Sequence, residues 1–115
     1  LQRYDEAVEE LEATVSLNPS FAQGFFALAF TLIWTGRQDE AVALLERAAD
    51  LSPRDPHLWT FLHVRALAHL TMDEFRSAEH FARLATRQPN ATHWPHSTLT
   101  ATLGLSGQRE AAAEA

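Results

Sequence analysis

Six histidines are the residues in this chain most open to a chemical reading, and their spacing sets what they could do. His93 and His96 are three apart and His63 and His69 six apart, which raises the question of a metal. Zinc needs three or four convergent ligands, commonly with carboxylate or thiolate help. The chain has no cysteine and Pro95 interrupts the closest pair, so these histidines read as surface or groove-lining groups and no metal ligand is assigned. Hydroxyls at Ser97, Thr98, Thr100 and Thr102 lie near His96 on one helical stretch. A Ser–His pair alone is not a triad, and no Gly-x-Ser-x-Gly elbow is present, so no catalytic residue is assigned. Asp39-Glu40 and Asp73-Glu74 are adjacent carboxylates, but each pair opens a helix, where acidic side chains complement the dipole. No residue is assigned to a cofactor. The expectation is a binding segment that is not an enzyme.

Composition bounds what it could bind. At 115 residues with 46% apolar content, the chain is one domain's worth and can build a continuous core. Its five prolines stand at element boundaries and not in low-complexity runs, which argues against disorder. The apolar runs are too short to cross a membrane, and no basic–apolar–small pattern opens the segment as a signal peptide would. Without cysteine the chain suits a reducing compartment, and a cytoplasmic location is the expectation. A net charge of -6, with basic residues mostly alternating with acidic ones, argues against a phosphate-backbone binder. Neither nucleic acid nor membrane is an expected partner. Unperturbed histidine titrates near ~6.5, so the charge of the whole changes between neutral and acidic conditions.

The elements that would position these groups are organised around Asn18 to Pro53. Pro19 and Pro53 bracket two helices at a period of about 34 residues, and Gly36 sits at the hairpin between them. Residues 37 to 53 repeat residues 3 to 19, with Arg, Asp, Glu, Ala, Val, Leu, Glu, Leu and Pro recurring in register at 9 of 17 positions. The first segment, residues 1–19, reads as the second helix of a repeat whose first helix is missing, so the piece looks taken from a longer protein. Its Tyr4, Val8, Leu11 and Val15 would then leave an apolar face open to water. Residues 20–53 form the next repeat, with Ser20 as N-cap and a second helix at Gln38 to Leu51 that turns Ala41, Val42, Leu45, Ala48 and Ala49 to one face.

Residues 54–89 restart the pattern, with Asp55 as N-cap and Pro56 at the first helical position. Trp59 and Leu62 follow Phe25 and Leu28 by the same period and should be core. No glycine arrives at position 70; Asp73 takes that slot, so the first helix is about one turn longer and Ala66, not His63, fills the small position. The next helix turns Phe75, Ala78, Phe81, Ala82 and Ala85 inward. Residues 90–115 form a truncated repeat in which Leu99, Leu103 and the stop at Gly107 complete the first helix, with Glu110 to Ala115 starting a second. That makes seven helices and about three and a half repeats.

This period, with Phe25, Leu28, Ala29 and Leu32 in the Trp, Leu, Gly and Tyr slots and Ala41 in the second small slot, resembles the tetratricopeptide repeat (TPR) family. The resemblance implies an all-α fold: an α-solenoid of antiparallel helix pairs, a TPR-like superhelix with first helices lining a concave face. It also implies a protein–protein interaction module. More narrowly, LSPRDPHLWTFLHVRALAHL and QPNATHWPHSTLTATLG resemble the C-terminal TPR arrays of bacterial class III adenylate/guanylate cyclase-like signalling proteins. Similar arrays follow winged-helix transcriptional regulators. In such proteins the repeats are the accessory or regulatory part, and none of the cyclase's metal-binding carboxylates can be placed here. A small-ligand sensor and a self-association module are the alternative readings.

The resemblance places a partner-binding groove at Gln23, Phe26, Phe30, Ile33 and Trp34, then at His57, Thr60 and Val64. Trp94 is expected beside it, packing against the next repeat being the alternative for both Trp34 and Trp94. TPR proteins that clamp acidic chaperone C-termini use Lys and Asn at these positions. This chain has no lysine, and the helix from Ser20 to Thr35 has no arginine. The expected partner is therefore an apolar protein or peptide segment.

Overall fold

A computed structural model of the chain describes the backbone of residues 2–18 and 22–114, the side chains of residues 2, 4 and 112–114 lying outside the description. It contains six α-helices: α1 (Gln2–Leu17), α2 (Ala22–Ile33), α3 (Gln38–Leu51), α4 (Leu58–Thr71), α5 (Phe75–Thr86) and α6 (Trp94–Glu114). No strand occurs among the described residues. None of these helices is long and apolar enough to cross a membrane.

The α2 segment, AQGFFALAFTLI, is apolar around most of its circumference and carries no charge, so it can only be stable when surrounded. Three neighbours surround it. Val8 of α1, Ala41, Leu45 and Ala48 of α3, and Phe61, Val64 and Ala68 of α4 join Phe25, Leu28, Ala29 and Leu32 in one core. Each helix packs on the next in the chain, and α2, α4 and α6 also touch one another in sequence. Among the described residues α1, α3 and α5 make no such contacts with each other. The result is an elongated stack of 52 × 35 × 19 Å.

Two turns set the register of the stack. Gly36 has φ 80°, and the Arg37 N–H donates back to the Leu32 carbonyl at 3.1 Å. Asp73 has φ 59°, and the Glu74 N–H donates to the His69 carbonyl at 2.9 Å. Both close the last turn of a helix through a left-handed residue, which satisfies an orphan carbonyl. Leu32 and Gly36 thus correspond to His69 and Asp73, an offset three positions longer than the one between Pro19 and Pro53. Counted that way, Ala66 matches Ala29 and Ala78 matches Ala41; all four are fully buried. At the start of α4, the Asp55 carboxylate accepts from the His57 N–H at 2.8 Å, and the regular helix begins at Leu58.

Several expectations are corrected. Among the described residues there are six helices and not seven, because α6 runs unbroken from Trp94 to Glu114 straight through Gly107. Unlike Gly36, Gly107 does not take a positive φ, and the QREAAAE that follows is made of good helix formers. Leu103 is exposed, since the stripe of α6 turned inward is Pro95, Thr98 and Thr102. Trp59 is only half-buried, and Phe61 is the large buried ring of α4. The three-residue insertion rotates the start of α4 by roughly 300° relative to a count made from the previous repeat. The apolar face of α1 is not left open at its described side chains: Val8 is buried, and Leu11 and Val15 pack against the core, because α1 lies on α2 as α3 lies on α4, while the Tyr4 side chain lies outside the description. The Ser20 cap falls outside the described residues.

Two substitutions test this framework. Ala29→Leu or Ala41→Leu should lower stability by roughly 1–3 kcal/mol in denaturant unfolding, through overpacking where helices meet closely. Gly36→Ala meets no neighbouring atom, so its expected cost of about 1–2 kcal/mol is conformational alone.

Candidate functional site

The three helices that touch one another are nearly free of formal charge. α2 has none, α4 has only Arg65, and α6 has none before Arg109. Helices α1, α3 and α5 carry most of the acidic and basic side chains. Water therefore solvates one side of the stack far better than the other.

On the uncharged side a run of rings stands at four-residue spacing, which places Phe26 and Phe30 on one stripe of α2 with Trp34 in the turn just past its end. Phe26 and Phe30 have ring centroids 6.2 Å apart, and Phe30 meets Trp34 edge-on at 6.1 Å. At the inner end Phe26 packs against Phe61 of α4 at 5.6 Å. Exposure rises along the run, from 1% at Phe61 to 42% at Phe30 and 57% at Trp34. The run is thus anchored in the core and opens into solvent. Gln23 lies one turn before Phe26, half-buried, and its side-chain nitrogen is buried without a hydrogen-bond partner.

A polar stretch continues this face across α4 to α6. His63 Nε2 is 2.7 Å from Thr98 Oγ1, one donating to the other according to the imidazole tautomer, and this joins the two helices. Trp59 stacks on the His63 ring at 6.4 Å. Thr102 donates its hydroxyl to the Thr98 carbonyl at 2.7 Å, and Thr100 donates to the His96 carbonyl at 3.0 Å. These threonine hydroxyls are committed to main-chain carbonyls, not to the His96 ring. No group of three or more His, Asp or Glu side chains converges as a metal site among the described residues.

Of the residues expected in the groove, Gln23, Phe26 and Phe30 share the α2 stripe, Trp34 continues it in the turn after α2, and Thr60 is half-buried on α4. Ile33 and Val64 are core residues and offer no side chain to a partner in this conformation. His57 and Trp94 are exposed at the N-terminal ends of α4 and α6, where the Trp94 ring lies 4.7 Å from that of His93. Among the described residues no ring contact links Trp94 to the α2 stripe. Missed were Phe61 and the pairing of His63 with Thr98. Counting back from Asp73 would have found His63, which by that longer offset takes the place of Phe26.

Burial pushes the His63 imidazole below its ordinary pKa, because the charged form loses its hydration. A group depressed in the folded state binds its proton more readily when unfolded. Its contribution to stability is therefore intact above ~6.5 and is lost as pH falls from there through the folded pKa. Unfolding free energy measured across this window should decline on acidification, and His63→Gln should flatten that decline.

Known proteins share this architecture. The family described as Tetratricopeptide repeat matches residues 1–64. Small glutamine-rich tetratricopeptide repeat-containing protein 2 of Saccharomyces cerevisiae is 31% identical over 51 residues, 44% of this chain and 15% of that protein. The chain thus spans about 15% of the length of that relative. Among solved structures, the type III secretion chaperone SycD of Yersinia enterocolitica, in complex with a peptide of the translocator YopD, superposes with a TM-score of 0.77 at 20% identity, covering 91% of this chain and 83% of SycD. SycD alone gives a TM-score of 0.77 at 18% identity, over 95% of this chain and 76% of SycD. At these identities the likeness bears on the fold alone. The relatives named here are a repeat-containing protein and a secretion chaperone, and lend no support to the cyclase resemblance. With more than half its length matched by the family pattern, the chain belongs to the tetratricopeptide repeat family.

Proposed function

We propose that this segment is a short α-solenoid that binds an apolar segment of a protein partner along the face shared by α2, α4 and α6. The observation that carries the reading is the ring run Phe26–Phe30–Trp34, exposed at Phe30 and Trp34, along and just past a helix without a single charge. Rings held this way are costly to leave in water and gain roughly 25 cal/mol per Å² when covered, before ordering costs. Their inner end is fixed by Phe61, so little side-chain freedom would be lost on binding. That SycD of the same fold is seen with a peptide bound fits such a use. A cytoplasmic location rests on the lack of cysteine, and a place beside a cyclase or a transcriptional regulator on the sequence resemblance alone. The self-association reading would now use the exposed Leu103 and Leu105 of α6, not α1.

A peptide array that sets apolar segments beside acidic chaperone-type C-termini supplies the ligands, and calorimetry supplies the affinities. Apolar segments should bind, and Phe30→Ala or Trp34→Ala should each weaken them by roughly 1–2 kcal/mol. Tight binding of an acidic C-terminus, unaffected by either substitution, would defeat the proposal. Sedimentation across a concentration series separates self-association, which Leu105→Ser should then reduce.

A further inference from the structure

The internal pair α2–α3 is a standard for the two ends of the stack. α3 lies between α2 and α4, and its Ala41, Leu45 and Ala48 are at most 1% exposed. In α1 the same places, at the spacing of Pro19 and Pro53, hold Ala7, Leu11 and Thr14. Among the described residues α1 packs on α2 alone, and these three are only half-buried. Val8 and Val15 lie on the α2 side, so the edge left open is the one that α3 turns to the inner helix before it.

α6 shows the other half of the same pair. At that spacing its inward Pro95, Thr98 and Thr102 take the places of Phe61, Val64 and Ala68 of α4. Carried on to α2 by the longer offset of Gly36 and Asp73, Leu99, Thr100 and Leu103 take the places of Leu28, Ala29 and Leu32. The three α2 residues are buried. Leu99 is half-buried, Thr100 exposed and Leu103 43% exposed, because among the described residues α6 packs only on α4 and α5. One end of the stack thus presents an inner helix without an outer partner, and the other an outer helix without an inner one.

Charge fits the same joint. Within the chain, Glu12 of α1 and Glu40, Ala43 and Leu44 of α3 line one cleft, so each outer helix faces the next. By the same offsets, Arg83 of α5 stands in the place of Glu12, and Glu6, Glu9 and Glu10 of a second α1 stand in those of Glu40, Ala43 and Leu44. Arg83 is paired with Glu79 at 3.0 Å; Arg76, in the place of Asp5, adds a second guanidinium to this end. We propose that a second copy of this chain docks head to tail, its α1 lying on α6 as α3 lies on α2, with Ala7 closing on Thr100 and Leu11 packing beside Leu99 and Leu103. The two surfaces differ, so each added copy leaves a free end and assembly does not stop at a dimer. This takes the self-association reading further; α1 contributes not its Val8 edge but the opposite one. The inner face of α2, α4 and α6 then continues into α2 of the next copy.

The test is sedimentation of the 115-residue chain over a concentration series reaching about 1 mM, since one helix pair is a small and therefore weak interface. Average mass should rise past that of a dimer without a plateau. Ala7→Glu, which sets a long charged side chain where the helices close, and Leu103→Glu, at an exposed position, should each abolish the rise. Mixed in equal amounts, the two should form a dimer and nothing larger, because each keeps the end that the other has lost. Arg83→Glu should weaken association about three- to fivefold. Because the chain has no cysteine, Ala7→Cys and Thr100→Cys give a second readout: mixed, they should cross-link through a short bismaleimide, and neither should cross-link to itself. That result stands even if a glutamate variant fails to fold. Phe30→Ala should leave assembly unchanged, and peptide binding is measured on the dilute monomer, so this proposal and the aromatic run fail separately. A strict monomer at the highest concentration, a plateau at the dimer, or either cysteine variant cross-linking to itself would overturn the proposal.

Discussion

Everything in this stack depends on how closely two paired helices can lie. Ala29 and Ala41 in α2–α3, and Ala66 and Ala78 in α4–α5, are fully buried small residues in helices that pack on each other. Interaxial distance is set by the side chains at the contact, within about 8–10 Å. With alanine there, larger side chains nearby, such as Leu32, Leu45 and Phe61, can interdigitate and be excluded from water almost completely. The turns follow from the same condition. Helices this close need a reversal of few residues, and the left-handed Gly36 and Asp73 provide it while returning a backbone N–H to an orphan carbonyl.

The pairing also divides the surface by chemistry. An outer helix is shared between the inner helix before it and the one after, so only part of its circumference reaches solvent, and that part carries charge. The inner helices touch one another and have almost no charge to solvate. Two quite different contacts join them: ring against ring at Phe26–Phe61, and imidazole against hydroxyl at His63–Thr98. The first is insensitive to pH; the second loses its neutral imidazole on acidification. An aromatic run held rigidly at one end by such contacts is preorganised for recognition.

The second helix pair shows what this scaffold tolerates. Arg65 and His69 stand in places filled by leucine in the first pair, and both need partners to be there. Arg65 is pushed down from its ordinary pKa by burial, while Glu46 and Asp50 act in the opposite direction. His69 Nδ1 lies 2.7 Å from Glu74, and the Phe81 ring covers both side chains. Yet Arg65 Nε and His69 Nε2 remain buried without hydrogen bonds, so the pair keeps an unmet desolvation cost that a leucine core would not have.

Periodicity in the sequence was enough to determine the first five helices, the small slots and the two hairpins. Each is a local or repeated requirement: apolar residues at helical spacing, alanine where helices close, a residue able to take positive φ where they reverse. The count back from Asp73 even located the three-residue insertion. Tertiary structure alone decided which side of each helix looked inward near the insertion, burying Phe61 and Val64 and leaving Trp59 half exposed. It alone turned Pro95, Thr98 and Thr102 inward instead of Leu103, and let α6 continue through Gly107. Glycine permits a reversal without requiring one. Whether a helix turns there depends on packing gained beyond the turn, and that energy belongs to contacts between segments rather than to any stretch of sequence.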